Sequence, residues 1–210
     1  SIFAAGSSLR WAAENLYQNR EGIEPERVYN FMAEQASLSP VGANRLIFNP
    51  SLAGGSMIEE SPLIKGGFMG LQLQHQQKDM LRAVYEGITM NLRYALEVLK
   101  KSQEISAEML IVGGGSKSSF WRQMFADVCQ LQIIKTNIDQ SAASLGAAAL
   151  AANGAGLWKG YEIIDSIHVI EHQEQPNHDN CVKYDALYTV FKTIMHHMAQ
   201  AGCLLENLKL

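Results

Sequence analysis

Cysteine is scarce in this sequence, and the three present, Cys129, Cys181 and Cys203, stand far apart with no CxxC spacing. That pattern suits neither a disulfide framework nor a zinc knuckle, and it points to a reducing compartment such as the cytoplasm. Positive charge is not in excess: 17 Lys and Arg against 21 Asp and Glu leave a net charge of −4. No basic field is available to recruit nucleic acid or an anionic membrane by long-range attraction, so small molecules are the expected ligands. No run approaches the ~20 apolar residues of a membrane span, and the opening SIFAAGSSLRW lacks the basic lead and apolar core of a signal peptide. It also lacks an initiator Met and reads like the middle of a fold, which predicts a piece of something larger.

What is present is ordinary for a globular chain. Of the 210 residues, 47% are apolar and 18% charged, enough for one domain that buries roughly 70% of its unfolded surface. Leu9, Ala12, Ala13 and Leu16 predict a helix over residues 8–18, with Gly22 as its stop. Pro25 suits the first turn of a second helix carrying Val28, Phe31, Met32 and Gln35. Residues 37–62 are punctuated by Pro, Gly, Asn and Ser around the short run Leu46–Phe48, which predicts a buried strand among loops. Residues 73–101 carry an apolar stripe at helical spacing from Leu81 to Leu99. Gly87 interrupts that stripe, and a glycine there predicts a second backbone packed close by.

Beyond it the pattern alternates. Met109–Val112 reads as a fully buried strand, 120–128 as a helix, the run from Leu131 as another strand, and the alanine-rich 141–152 as a helix pressed on a sheet, with Gly154 as its stop. The IHVI run near Ile167 reads as a last strand or an irregular connection, and a closing helix is expected over 181–201. Strands alternating with helices predict an α/β layer arrangement in a single domain over residues 1–210.

The chemistry concentrates where the strand meets the helix, in AEMLIVGGGSKSSFWRQMFADVCQL. Gly113, Gly114 and Gly115 strip side chains from the main chain just before a helix, whose amide end attracts anions. Ser116, Ser118 and Ser119 can cap that helix or bond a nucleotide, and Lys117 adds a point charge. The turn is too short for GxxxxGK[ST], and Ser118 stands where GxGxxG needs its last glycine. From the residues alone, a phosphate site and a plain packing turn stand level.

IVGGGSKSSFWRQMFADV resembles the adenosine motif of the FGGY family of carbohydrate kinases, and GGFMGLQLQHQQKDMLRAVYEGITMNLR resembles the loop and long helix that precede it. AAGSSLRW, LSPVGANRLIFNPSLAGG and SLGAAALAANGAGLW resemble further family segments, in order, from about residue 3 to about residue 160. The xylulokinase-like branch is the most similar. The resemblance implies an α/β, actin-like ATPase (ribonuclease H-like) domain, a mixed sheet flanked by helices. It implies the nucleotide-binding, carboxy-terminal lobe of a two-lobed enzyme that transfers the γ-phosphate of ATP, with Mg2+, to a sugar hydroxyl, in a pentulose such as xylulose. A nucleotide-binding regulator of the same superfamily without catalysis is the alternative.

By motif position, the resemblance places nucleotide contacts at Gly6 and Arg10, the α-phosphate and adenine edge at Gly115 and Ser119, and a neighbouring contact at Gly114. The family's catalytic aspartate and other phosphate motifs lie upstream of Ser1, so no acid here is assigned that role. Asp79, Asp127 and Asp139 are expected to be surface or capping acids, and the isolated chain is expected to be inactive. The partners implied are sugar, nucleotide, the amino-terminal lobe and a second copy in a homodimer. Xylulokinases commonly read SGERTP where this chain has AGGSMIEE, Ala53–Glu60, so the role of that loop is left open. His196 and His197 are expected to be solvated, His75 to begin the long helix, and Trp121 and Phe125 to pack in the core.

Overall fold

A 24-residue helix, α3 (Gln77–Lys100), runs through the middle of the protein, and from Asp79 to Asn91 nearly every side chain on it is buried. In the computed structural model, which describes residues 5–17, 25–56, 59–139 and 141–209, the other elements are arranged around this axis. Helices α1 (Ala5–Asn15) and α2 (Pro25–Ser37) cover one side, and a two-stranded antiparallel ribbon of β1 (Ile47–Asn49) and β2 (Gly67–Met69) crosses it. Next come β3 (Glu108–Leu110), α4 (Ser119–Cys129), β4 (Gln132–Thr136), α5 (Ala142–Gly154), α6 (Glu162–Ile167), β5 (Ile170–Glu174) and α7 (His178–Glu206). The second sheet has the order β3-β4-β5, with β3 parallel and β5 antiparallel to β4. The expected stop at Gly22 lies outside the described residues.

The core is aromatic where the ribbon meets the helices. Phe48 stacks on Trp11 and packs against Phe68, while Tyr85 meets Trp121 edge-on and Trp121 stacks on Phe125. Gly87 does what its place in the stripe predicts. A Cβ there would lie 2.0 Å from the Phe48 carbonyl oxygen, so only glycine lets α3 and β1 approach. Gly202 near the end of α7 does the same for the Leu63 carbonyl, also at 2.0 Å. The hairpin and its connecting loop are thus gripped between two helices.

Buried polar groups set the geometry around this grip. Arg82 donates to Glu86 (2.7 Å) and to the Ser39 carbonyl (2.7 Å), and Glu86 also accepts from Tyr184 (3.0 Å) and from the Gly42 amide (2.9 Å). Asp79 accepts from the Gln76 amide at the start of α3, from Ser39 Oγ and from Asn44 Nδ2. Together these anchors hold a turn in which Gly42, Ala43, Asn44 and Arg45 all have positive φ, at 84°, 46°, 55° and 71°. A left-handed conformation costs a residue with a Cβ roughly 1–2 kcal/mol, so three in a row persist only because the surroundings dictate them.

Several expectations need correction. The strand at Leu46–Phe48 is shifted by one residue, since Leu46 closes the left-handed turn. Phe31 points outward at 39% exposure, and Val28, Met32, Ala33 and Ala36 form the inner face of α2. The run Met109–Val112 is not fully buried: Leu110 is 50% and Val112 45% exposed, and β3 itself ends at Leu110. α5 is apolar on all sides yet buries only Ala149, so it is not pressed on the sheet. β2 and α6 were not foreseen, and α7 is longer at both ends than its apolar pattern suggests.

Candidate functional site

The corner between β3 and α4 forms because the parallel pairing with β4 stops there. The Ile111 amide still donates to the Ile134 carbonyl (2.9 Å), and Gly113 then turns at φ 85°, ψ −170°, a conformation that disfavours a side chain. A single 3-10 turn follows over Gly114–Lys117. Its first internal bonds are Ser116 N to the Gly113 carbonyl (3.1 Å) and Ser116 Oγ to the same oxygen (2.7 Å). The amides of Gly114 and Gly115 precede that first bond and stay outside the turn's own ladder. Ser118 then caps α4 by accepting from the Trp121 amide at 3.3 Å.

The two sides of the corner differ sharply. On the outer side a Cβ added at Gly113 or Gly114 would meet nothing within 4 Å, and Gly114, Lys117 and Ser119 are exposed. On the inner side a Cβ at Gly115 would lie 3.2 Å from the Trp121 ring. That ring is fixed by its Nε1–H, which donates to Thr89 Oγ1 on α3 (2.9 Å). Beneath the turn, Arg122 donates to the Ser116 carbonyl (2.7 Å) and to Glu174 of β5 (2.7 Å) while only 4% exposed. The turn is braced from within and open at Gly113 and Gly114, which leaves room for a ligand to approach the main chain there.

Thr89, Arg122 and Glu174 were missed at the level of sequence. One signal existed: Arg122 sits among Trp121, Met124 and Phe125 on the apolar side of α4, and a cation in an apolar stripe needs partners. Of the five residues assigned nucleotide contacts, the structure brings Gly114, Gly115 and Ser119 together at this corner. Gly6 and Arg10 lie on α1, both exposed, and no hydrogen bond among the described residues joins α1 to the corner. Trp121 and Phe125 pack in the core as expected.

The acids serve structural ends. Asp79 caps α3, and buried Asp127 accepts from Asn177 N and Asn180 Nδ2, each at 2.8 Å, fastening the start of α7 to α4. In the loop at 53–60, Met57 and Ile58 lie outside the described residues. Glu59 accepts from the Ser56 amide (2.6 Å) and from Asn91 of α3 (3.1 Å). Burial alone would raise its carboxyl, but the Ser56 and Asn91 donors outweigh it and hold Glu59 below the usual carboxylate range. Glu60 pairs with His196, so that histidine is exposed but tethered to the loop. His75 precedes α3 and accepts from the Gln72 amide (2.8 Å). Among the described residues, no group of three His, Cys, Asp or Glu side chains is placed to hold a metal, and no helix is long and apolar enough to cross a membrane.

The chain is 33% identical over 198 residues to a xylulose kinase of Staphylococcus epidermidis, covering 94% of this chain and 38% of that protein. Among solved structures, it superposes on the ligand-bound xylulose kinase of Lactobacillus acidophilus with a TM-score of 0.81 at 29% identity, covering 94% of this chain and 39% of the other. It matches the gluconate kinase of the same organism with a TM-score of 0.80, at the same identity and coverage. The chain therefore spans about two-fifths of the length of the relatives it matches. These neighbours share the actin-like ATPase fold, to which the mixed α/β architecture described above belongs. Residues 1–155 match the C-terminal domain of the FGGY family of carbohydrate kinases, and the chain belongs to that family.

Proposed function

We propose that the chain is the carboxy-terminal lobe, one domain over residues 1–210, of an ATP-dependent sugar kinase, and that the Gly113–Gly115 corner receives the nucleotide. The observation that carries this reading is the open outer side of the corner, where Gly113 and Gly114 face no neighbouring atom within 4 Å. In this reading the Gly114 and Gly115 amides donate to the α-phosphate and the Ser119 hydroxyl bonds the adenine edge. Gly6 and Arg10 contact the nucleotide from α1. Mg2+ accompanies the phosphates and, when bound, neutralises charge on the group transferred. The acceptor is a pentulose such as xylulose, a choice supported by the names of the Staphylococcus and Lactobacillus xylulose kinases. The parallel likeness to a gluconate kinase makes a panel of ketoses, aldoses and sugar acids the assay for the full-length protein.

The corner itself is tested by calorimetric titration of the full-length protein with MgADP. Gly114→Val is the informative variant, since a side chain at Gly114 meets open space whereas one at Gly115 meets Trp121 and would disturb folding as well. Gly114→Val should weaken MgADP binding by at least ~10-fold, about 1.4 kcal/mol, without lowering the melting temperature. Undiminished affinity in that variant would sink the assignment.

A further inference from the structure

The end of β2 and the loop after it turn apolar side chains away from the core. Met69 is 47% exposed, Leu71 60%, and Leu73 completely. The backbone beneath them is nonetheless fixed. Gly70 has φ 88°, and a Cβ there would lie 2.8 Å from the Arg45 carbonyl oxygen. The Gln72 amide donates to His75 Nδ1 (2.8 Å), which leaves the ring proton on Nε2, 3.2 Å from the Asn44 carbonyl oxygen. The loop is thus tied to the left-handed turn at Gly42–Arg45, and that turn is anchored on buried Glu86 and Asp79.

The strained turn leaves Arg45 exposed, while Asn44 beside it is tied by its side chain to Asp79. In the β1–β2 ribbon Ile47 stands opposite Met69, and just beyond that pair the Arg45 carbonyl lies against Gly70, so Arg45 adjoins the backbone between Met69 and Leu71. One exposed cation and three exposed apolar residues therefore belong to two adjoining segments whose backbone is fixed. Arg and Met are enriched at protein interfaces, and a preorganised backbone lowers the ordering cost of association.

We propose that Met69, Leu71 and Leu73, with Arg45 as charged anchor, form a docking surface for the amino-terminal lobe of the full-length protein, which meets them with an apolar face and a carboxylate. This rests on reading the chain as a carboxy-terminal lobe. The greater part of each matched relative lies outside the matched region, 38% of the Staphylococcus protein being covered. On that reading the amino-terminal lobe belongs to the same polypeptide and meets this surface at high effective concentration. A second copy fits less well: residues 69–76 contain no acid, so an isologous contact through this loop brings no carboxylate to Arg45.

Hydroxyl-radical footprinting of the full-length protein and of the 210-residue chain tests the proposal. Oxidation of Met69, Leu71 and Leu73 should be several-fold slower in the full-length protein, and Arg45→Glu should restore much of the rate seen in the chain, whereas Arg45→Lys should not. Arg45→Gly separates docking from folding: it removes the positive-φ strain and should raise the melting temperature of the chain while still increasing oxidation of the loop in the full-length protein. Equal oxidation rates in the two proteins, or rates unmoved by Arg45→Glu, would overturn the surface. Should the loop be protected in a full-length protein that phosphorylates no sugar, the kinase reading fails and the surface stands. Should turnover be normal while the loop is freely oxidised, the surface fails and the kinase reading stands.

Discussion

Asp79 shows how a single carboxylate joins two parts of the fold. It accepts from the first turn of α3 and from Ser39 and Asn44, and so fixes the helix start and the left-handed turn together. Burial alone would raise its carboxyl, but the hydrogen bonds from Ser39, Gln76 and Asn44, with Lys78 nearby, outweigh that effect and hold it below the usual carboxylate range. A depressed folded-state value means that the contribution is present above the unfolded carboxylate range, near pH 4, and is lost as pH falls through the lower folded value. Asp79→Asn should therefore cost about 1–2 kcal/mol at pH 7, read by denaturant unfolding. The gap between wild type and variant should narrow below about pH 4; a gap that widens on acidification would contradict this account.

At the scale of elements, two glycines at similar places within helices should respond oppositely to the same change. Gly87→Ala on α3 drives a methyl into the Phe48 carbonyl and should destabilise by about 1–3 kcal/mol despite alanine's better helix propensity. Gly146→Ala on α5 meets open space and should stabilise by about 0.5–1 kcal/mol. Thermal unfolding of the two variants checks the contrast. The close approach at Gly87 was legible in the sequence, because a glycine that interrupts the strongest apolar stripe sacrifices helix propensity on a buried face, where a neighbouring backbone can use the space. The helices α1 to α4 and the strands β3 and β4 were legible because their periodicity is local. β2 was not, since Gly67–Met69 is a three-residue strand defined by its partner, and α6 is too short for a period to show. At the candidate site the bare glycines could be read directly. The brace of Thr89, Arg122 and Glu174 could not, because residues from α3, α4 and β5 meet there only after folding.

For the molecule as a whole, the sequence led to a wrong expectation about burial around α5. An alanine-rich helix promises a sheet to lie on, yet Leu150 is 64% and Leu157 78% exposed. Exposed apolar surface of this kind binds hydrophobic dyes. The 210-residue protein should accordingly enhance the fluorescence of an anilinonaphthalene dye, and replacing Leu150 and Leu157 with Glu should reduce that signal while shifting stability by no more than about 0.5 kcal/mol. A dye signal unchanged by the two replacements would place the accessible apolar surface elsewhere.

The clasp at Gly202 bears on how this protein can be handled. Because the Leu63 carbonyl rests against the bare backbone of that glycine, the final turns of α7 are a structural wall for a hairpin that lies far earlier in the chain. Trimming the polypeptide shortly before Gly202, or fusing a reporter there, would disturb the ribbon around Phe48 even though the cut looks peripheral on a linear map.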